Sequence, residues 1–256
     1  MVHRIGRWDP SKLGPHPRIL LIGRSGSGKS TALRDVLSHI AGNVDLCLMF
    51  SPTTESIEAF RAVAPPGCVH PGGLKIEIIE AALRMNRELV ERGKARELFI
   101  VADDVAAADK QLFRSPVMRD LLMNGRHART GTALCLQYCM DVPVDARSQF
   151  QIIIVCAENN HANRRRIWTQ FAGVVPTYRA FDAIMQRTTA DHGCLVIDNS
   201  DPSATVETSI FHWKARLNPP RFTLCRSVYW KLDRKRPQQK EDVLVVAERR
   251  QLVGVS

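Results

Sequence analysis

Short apolar runs alternate along most of the chain with longer stretches whose apolar residues recur at helical spacing. The apolar runs have the length of buried strands and lie at residues 18–23, 44–50, 97–104, 132–137, 151–157 and 193–199. The amphipathic stretches predict helices over 25–42, 74–93, 110–125, 161–172 and 178–188. This alternation favours one α/β domain with a largely parallel central sheet flanked by helices.

The remaining segments are less regular. Residues 51–56, "SPTTES", predict a polar loop, and 205–215, "TVETSIFHWKA", predicts a hairpin-like stretch. From Pro219 the pattern loosens, and "KLDRKRPQQKED" (231–242) is typical of a solvated or disordered segment. We therefore divide the chain into an N-terminal lead, one α/β domain and a basic C-terminal tail, at 1–17, 18–218 and 219–256.

Charge and cysteine content narrow the class of protein. The chain has 36 Lys and Arg against 26 Asp and Glu, a net charge of +10, which favours a polyanionic partner such as nucleic acid or an anionic membrane surface. Its seven cysteines include no CxxC pair, so we expect buried free thiols rather than a disulfide framework or a zinc site. Because the chain has neither a secretory signal nor a membrane-spanning apolar run, we expect a soluble, intracellular protein.

The segment "GRSGSGKS" (23–30) matches the pattern G-x-x-x-x-G-K-[ST], with an apolar strand before it and a helix after it. Its glycines let backbone N–H groups turn towards phosphate oxygens, and the helix N-terminus adds a positive dipole end. Lys29 would bridge the terminal phosphates and the Ser30 hydroxyl would bind Mg²⁺. The alternative is a glycine-rich turn without a ligand. We predict a nucleotide site at Gly23, Arg24, Ser25, Gly26, Ser27, Gly28, Lys29, Ser30 and Thr31.

Two acids end the apolar run "LFIVADD" (98–104). Ligands of open α/β sheets bind at the carboxyl ends of the strands, where this pair is expected to lie. Asp103 would hold Mg²⁺ through water, and Asp104 would polarise the attacking water. The alternative is an acidic turn without a catalytic role. Glu97 precedes the strand and would lie at the wrong end of the sheet.

The buried run "TALCLQ" (132–137) ends on a polar residue, Gln137. The strand could simply reach the surface there. If it instead lies beside 98–104, the Gln137 amide reaches the γ-phosphate from the same edge as Asp104 and senses hydrolysis. An extra strand between the phosphate loop and the acid strand, with a polar sensor on the neighbouring strand, is typical of the ASCE division of P-loop ATPases.

Basic side chains cluster just before that strand, in "NGRHARTG" (124–131). Arg126, His127 and Arg129 could form a solvated basic loop. Motor ATPases of this division assemble as rings, however, and an arginine of one subunit stabilises transition-state charge in its neighbour's site. Arg147 is a third candidate for this role, and the sequence leaves the choice among the three arginines open.

Several longer sequence blocks indicate a family resemblance. The runs "LLMNGRHARTGTALCLQYCMDVPVDARSQFQIII", "ENNHANRRRIWTQFAG" and "CLVIDN", together with "RILLIGRSGSGKST", span residues 18–199. In this range the chain resembles the genome-packaging ATPases of large and icosahedral DNA viruses, the poxvirus-type packaging ATPases of the FtsK–HerA superfamily. The phosphate loop alone is shared with many other families, and the "NGRH…LQY…P…R" block is the specific part.

The resemblance implies a RecA-like P-loop core, a homo-oligomeric ring (a pentamer or hexamer) and ATP-driven pumping of double-stranded DNA into a preformed capsid. It places Lys29 and Ser30 on ATP and Mg²⁺, Asp103 and Asp104 in the acid motif, and Gln137 as sensor. The Asp-Asp pair departs from the superfamily's frequent Asp-Glu pairing, which we interpret as tolerated in the viral branch. The resemblance also implies capsid or vertex proteins as partners, and a location at assembling virions in the infected cell or within the virion.

A packaging motor must move any sequence, so contacts to DNA phosphates without base readout are expected. The best basic stretches are 163–168, expected on a helix face with Trp168 in the core, and 221–236, which could touch DNA, a capsid protein or a membrane beneath the capsid.

Three other functions are compatible with a phosphate loop on an α/β core. They are another ATP-driven DNA translocase, a small-molecule kinase, whose turnover would require a phosphoryl acceptor, and a nucleotide-gated scaffold at the virion vertex. Slow turnover unaffected by DNA would favour the scaffold.

Overall fold

A computed structural model describes residues 5–104 and 111–235 of the chain. Its strands form one sheet in the order β1-β9-β8-β7-β2-β6-β5-β3-β4. The strands are β1 (Gly6–Arg7), β2 (Arg18–Ile22), β3 (Leu46–Ser51), β4 (Val69–Pro71), β5 (Leu98–Asp103), β6 (Thr130–Leu136), β7 (Ile152–Val155), β8 (Cys194–Asp198) and β9 (Ile210–Trp213). Neighbours pair in parallel except that β8 runs against β7 and β9. The predicted α/β class with a largely parallel sheet is confirmed.

Helices cover both faces of the sheet. They are α1 (Lys29–Ile40), α2 (Thr54–Arg61), α3 (Ile76–Glu91), α4 (Pro116–Asn124), α5 (Val144–Arg147), α6 (His161–Phe171), α7 (Tyr178–Thr188), α8 (Val206–Ser209) and α9 (Ser227–Arg234). None of the helices in the described ranges is long and apolar enough to cross a membrane.

The core follows from the two-residue period of the strands. On adjacent strands β2 and β6, Leu20 and Leu134 face one layer of helices, whereas Leu21 and Cys135 face the other. Because both faces are covered, these strands are apolar throughout rather than alternating. Six of the seven cysteines are buried free thiols, and Cys225 is half-buried.

The strand register brings the chemically important ends together. Ile22, the last residue of β2, lies opposite Leu136 of β6 and Val155 of β7. On β5, Asp103 lies opposite Cys135 of β6. The phosphate loop, the acid pair and Gln137 therefore lie at the carboxyl ends of three neighbouring strands, β2, β5 and β6, on the same edge of the sheet.

Helix α2 replaces part of the predicted polar loop. The hydroxyl of Thr53 accepts a hydrogen bond from the Ser56 N–H (3.4 Å) and caps the helix. Only Ile57 and Phe60 of its eight residues are buried, so the apolar signal in the sequence is weak. The stretch 205–215, predicted to be hairpin-like, consists instead of the single turn α8 followed by strand β9, which pairs in antiparallel fashion with β8.

The basic stretch 163–168 lies on helix α6, as expected, but its arginines differ in exposure and Trp168 is not inside the core. Arg164 is buried, and its Nε lies 2.9 Å from Asp182 Oδ1 of α7, so this arginine is structural. Trp168 is half-buried against the core rather than inside it, and its Nε1 donates to the Val175 carbonyl (2.9 Å). Arg165 and Arg166 are the exposed cations of this helix.

The chain after β9 packs against the domain, at least as far as residue 235. Leu224 and Tyr229 are buried, and the Leu224 N–H donates to the Val63 carbonyl (2.7 Å). The expectation of an unstructured segment from residue 231 is wrong for 231–235, because α9 continues there and the Asp233 carboxylate accepts from the Gly67 N–H (2.8 Å). Residues 236–242 of the same segment lie outside the described residues.

Candidate nucleotide site

The phosphate loop, residues 23–28, joins β2 to α1 at the carboxyl edge of the sheet. Gly26 (φ 73°) and Gly28 (φ 95°) adopt the left-handed conformation that glycine tolerates best. Gly28 is also the N-cap of α1 and supplies no side-chain acceptor for the first N–H groups of the helix. Those groups are thus available to an anion, and the helix dipole reinforces the attraction.

Gly23 is required for a different reason, close packing. A β-carbon at this position would lie 2.4 Å from Ser27 Oγ and 2.8 Å from Cys156 Cβ. The Gly23 N–H donates to the Leu136 carbonyl (3.0 Å), which ties the start of the loop to the end of β6. The loop is therefore held between β6 and β7, the strands on either side of β2.

The two acids have different surroundings. Asp103 is 3% exposed and accepts a hydrogen bond from Ser56 Oγ (2.7 Å). Burial raises the pKa of Asp103 above its ordinary value, while the Ser56 hydrogen bond acts in the opposite direction. Asp104, at a positive φ of 58°, lies just beyond β5, and its Oδ1 is 3.8 Å from Lys29 Nζ. Lys29 is 6% exposed and also donates to the Arg24 carbonyl (3.3 Å).

Gln137 lies one residue beyond β6 and is exposed, so the strand does reach the surface there. Its amide nevertheless has a partner: Nε2 lies 3.0 Å from each carboxylate oxygen of Asp104. The Asp104 N–H donates to the Cys135 carbonyl (3.1 Å), which fixes the acid against the end of β6. The fold thus brings together Lys29 at the start of α1, Asp104 just after β5 and Gln137 just after β6.

A cleft of about 640 Å³ opens along this edge, a volume that suits a nucleotide. Of the predicted site residues, the following line it: Ser25, Gly26, Gly28, Lys29, Ser30, Thr31, Asp103 and Asp104. Gln137 adjoins the cleft through Asp104. Ser30 and Asp103 both line this cleft, and both carry side-chain oxygens of the kind that Mg²⁺ prefers.

The three candidate arginines lie elsewhere. Arg126 and Arg129 precede β6, at the opposite edge of the sheet, and Arg129 forms an ion pair with Glu97. The seven residues of β6 span roughly 23 Å at about 3.3 Å per residue, so neither arginine reaches the cleft of its own chain. Arg147 is 6% exposed, and its guanidinium donates to the Val142 carbonyl (3.0 Å) and to the Gln170 side chain. His127 is exposed beside Arg126.

Among the lining residues that the sequence analysis missed are Thr53 and Ser56, at the N-terminus of α2. Ser56 contacts Asp103 directly, so α2 helps to position the acid. The signal that could have found them is the capping residue Thr53 ahead of the weakly amphipathic run 54–61.

Several known proteins are similar to this chain in sequence or in fold. A family model described as "Poxvirus A32 protein" matches residues 7–201. The chain belongs to the poxvirus A32 protein family. Uncharacterized protein L437 of Acanthamoeba polyphaga mimivirus is 26% identical over 222 residues, covering 82% of this chain and 76% of that protein. Uncharacterized protein 075L of Invertebrate iridescent virus 6 is 28% identical over 198 residues, covering 77% and 76%.

Among solved structures, the genome packaging NTPase B204 of Sulfolobus turreted icosahedral virus 2, in complex with AMPPCP, superposes with a TM-score of 0.58 at 16% identity. The match covers 80% of this chain and 100% of that protein. The conjugation coupling protein TcpA of pCW3 superposes with a TM-score of 0.51 at 15% identity, covering 78% and 60%. The P-loop ATPase fold inferred from the sequence is confirmed.

Membership in the A32 family also confirms the resemblance on which the function was inferred. The chain is a viral DNA-packaging ATPase. The matched range contains the phosphate loop, both acids and Gln137.

Proposed function

We propose that this protein hydrolyses ATP with Mg²⁺ in the cleft and uses the free energy to drive double-stranded DNA into a preformed capsid. The observation that carries the proposal is the convergence of Lys29, Asp104 and Gln137 within hydrogen-bonding or ion-pair distance at the edge of the phosphate loop. We propose that the protein acts at assembling virions in the infected cell, together with capsid or vertex proteins.

In the reaction, the phosphate loop and Lys29 bind the β- and γ-phosphates. Asp104 orients a water molecule and accepts its proton as the water oxygen attacks the γ-phosphorus, and the bond to the β–γ bridging oxygen breaks to release ADP. Gln137 donates to Asp104, so its amide can orient the carboxylate and the water together. Ser30 and Asp103 would hold Mg²⁺, which neutralises phosphate charge.

Gln137→Ala is expected to slow ATP hydrolysis about a hundredfold, because the Asp104 carboxylate loses the amide that orients it and the attacking water. ATP affinity should change less than about twofold, because Gln137 does not line the phosphate-binding part of the cleft. Steady-state phosphate release and equilibrium ATP binding measure the two effects. Gln186→Ala, an exposed glutamine on α7, is the matched control. A normal hydrolysis rate in Gln137→Ala would contradict the sensor role.

Ring assembly follows from the same proposal, with a pentamer or hexamer in which one subunit completes the next site. Arg126 and Arg129 are exposed at the sheet edge opposite the cleft, where a neighbouring subunit could reach them. Arg147 is buried and hydrogen-bonded within its own chain, and it would have to leave this packing to act in trans. We therefore propose Arg126 and Arg129 ahead of Arg147 as the arginines that stabilise transition-state charge.

The exposed face of α6 is the DNA-contacting surface that we propose. The guanidinium of Arg165 lies 4.7 Å from the Tyr178 ring centroid, and that of Arg166 lies 5.6 Å from the Tyr138 centroid. Stacking on a ring orders each cation. Arg166 Nη1 also donates to Asn163 Oδ1 (3.1 Å), and the remaining N–H groups of both guanidinium groups are available to bind phosphate. Because Tyr138 directly follows Gln137, this surface adjoins the sensor.

The double variant Arg165→Gln/Arg166→Gln is expected to lose most of the stimulation of ATP hydrolysis by duplex DNA. Each lost phosphate contact should also reduce the salt slope of DNA binding by about one. The measurements are the ratio of hydrolysis with and without DNA, and DNA affinity over a salt series. Arg84→Gln/Arg92→Gln removes the same charge from exposed positions in and beside α3 and is the control. Equal losses in both double variants would contradict a specific role for α6.

A further inference from the structure

After β9 the chain crosses the nucleotide cleft as residues 217–222, "LNPPRF", here called the strap. Leu217, Asn218 and Phe222 line the same cleft as the phosphate loop. The strap lies beyond residue 201, where the match to the A32 family model ends. It is a second wall of the cleft, separate from the residues that bind phosphate.

The strap is held at both ends. Before it, the Arg216 N–H donates to Asp35 Oδ2 (2.7 Å) and Arg216 Nε donates to Asp35 Oδ1 (2.8 Å). Asp35 is 1% exposed and belongs to α1, the helix that begins at the phosphate loop. After it, the Leu224 N–H donates to the Val63 carbonyl. These contacts fix the position of the strap relative to the phosphate loop.

Two consecutive prolines stiffen the strap between these attachments, because each pyrrolidine ring fixes φ. Pro219 is buried, whereas Leu217 is 74% exposed, an unusual exposure for leucine beside a cleft. Phe222 is half-buried and packs against the core. Leu217 and Phe222 offer apolar contact for a planar ring at a fixed distance from the phosphates.

Asn218 supplies the polar group of this wall. It is exposed, and its side chain makes no hydrogen bond within the part of the chain that the structure describes. An asparagine amide pairs in bidentate fashion with adenine: its oxygen accepts from the N6 amino group and its NH₂ donates to N7. Guanine presents two acceptors at the corresponding positions, O6 and N7, so the same pair of bonds is lost.

We propose that the strap is the base-binding wall of the cleft, with Leu217 and Phe222 against the ring and Asn218 selecting adenine. This inference rests on the proposed function, since the ligand is the nucleotide that the phosphate loop binds. It adds specificity for the base to a site whose motifs read only the phosphates.

The test compares equilibrium binding of ATP, GTP and inorganic tripolyphosphate to the full chain. Wild type is expected to bind ATP roughly tenfold more tightly than GTP, and more tightly than tripolyphosphate. Asn218→Ala should bring the ATP and GTP affinities within about twofold of each other. Leu217→Ala should weaken ATP binding severalfold without affecting tripolyphosphate, and its KM for ATP should rise at constant kcat. We choose Leu217→Ala rather than Phe222→Ala because Leu217 is exposed, so that its loss is not expected to affect folding, whereas Phe222 packs against the core.

Thr223→Ala, at an exposed neighbouring position that does not line the cleft, is the control and should behave as wild type. The strap assignment is overturned if Asn218→Ala keeps the wild-type preference for ATP over GTP, or if wild type binds tripolyphosphate as tightly as ATP. Both results leave the phosphate site intact. If wild type binds neither ATP nor tripolyphosphate, the proposed nucleotide function fails and the strap assignment fails with it.

Discussion

Lys29→Ala is expected to lower ATP hydrolysis by about a thousandfold, because a buried cation aimed at the transferring phosphate is lost. Lys29 Nζ is in the cleft, 3.8 Å from Asp104 Oδ1. Without it, the carboxylate and the phosphates face each other with no positive side chain between them, so ATP binding should weaken as well. Steady-state phosphate release over a range of ATP concentrations measures both losses.

The matched control is Lys94→Ala, which removes the same charge from an exposed position beyond α3. It should hydrolyse ATP at the wild-type rate. The thermal midpoint of Lys29→Ala should remain close to that of wild type, which would separate a chemical defect from a folding defect. Residual hydrolysis above about a tenth of the wild-type rate would show that Lys29 does not bind the reacting phosphate.

Gly23→Ala is expected to have the second-largest effect, and it acts through packing. Its β-carbon would lie 2.8 Å from Cys156 Cβ, so β7 and the phosphate loop must separate. Overpacking of this kind costs about 1–3 kcal/mol, which lowers the thermal midpoint by roughly 2–4 °C per kcal/mol in a chain of this size. ATP binding should be lost with it, because the displaced loop no longer presents its N–H groups together.

Gly42→Ala is the control for this substitution. Gly42 is an exposed position after α1, and no atom of residues 5–104 and 111–235 lies within 4 Å of a β-carbon built there, so stability should change by less than about 0.5 kcal/mol. Thermal unfolding and ATP titration of both variants provide the comparison. A Gly23→Ala protein that melts and binds ATP like wild type would contradict the packing described for the loop.

The phosphate-binding edge could be predicted because its residues end short apolar runs. In a parallel sheet, the carboxyl ends of neighbouring strands share one edge, so Asp104 and Gln137 could be placed together once their strands were assigned. Helix α2 could not, since only Ile57 and Phe60 are buried and its first residues are polar. Its contact with Asp103, through Ser56, was missed for the same reason.

The run of basic residues in the sequence did not show which of its side chains are exposed, because tertiary contacts decide that. In "NRRRIW", helical phase turns Arg164 onto Asp182 while leaving Arg165 and Arg166 in solvent, and adjacent letters do not show this difference. The strap is a second case. Its attachment joins Arg216 to Asp35 across most of the chain, and no local pattern reports a contact of that range.

The most direct test of the account is steady-state ATP hydrolysis by the full chain, with and without long duplex DNA, at two salt concentrations. We expect DNA to stimulate hydrolysis and the stimulation to fade as salt rises, because the contacts are to phosphates and release bound counterions. Hydrolysis that is unchanged by DNA at both salt concentrations would leave the nucleotide site in place and contradict a DNA-translocating motor.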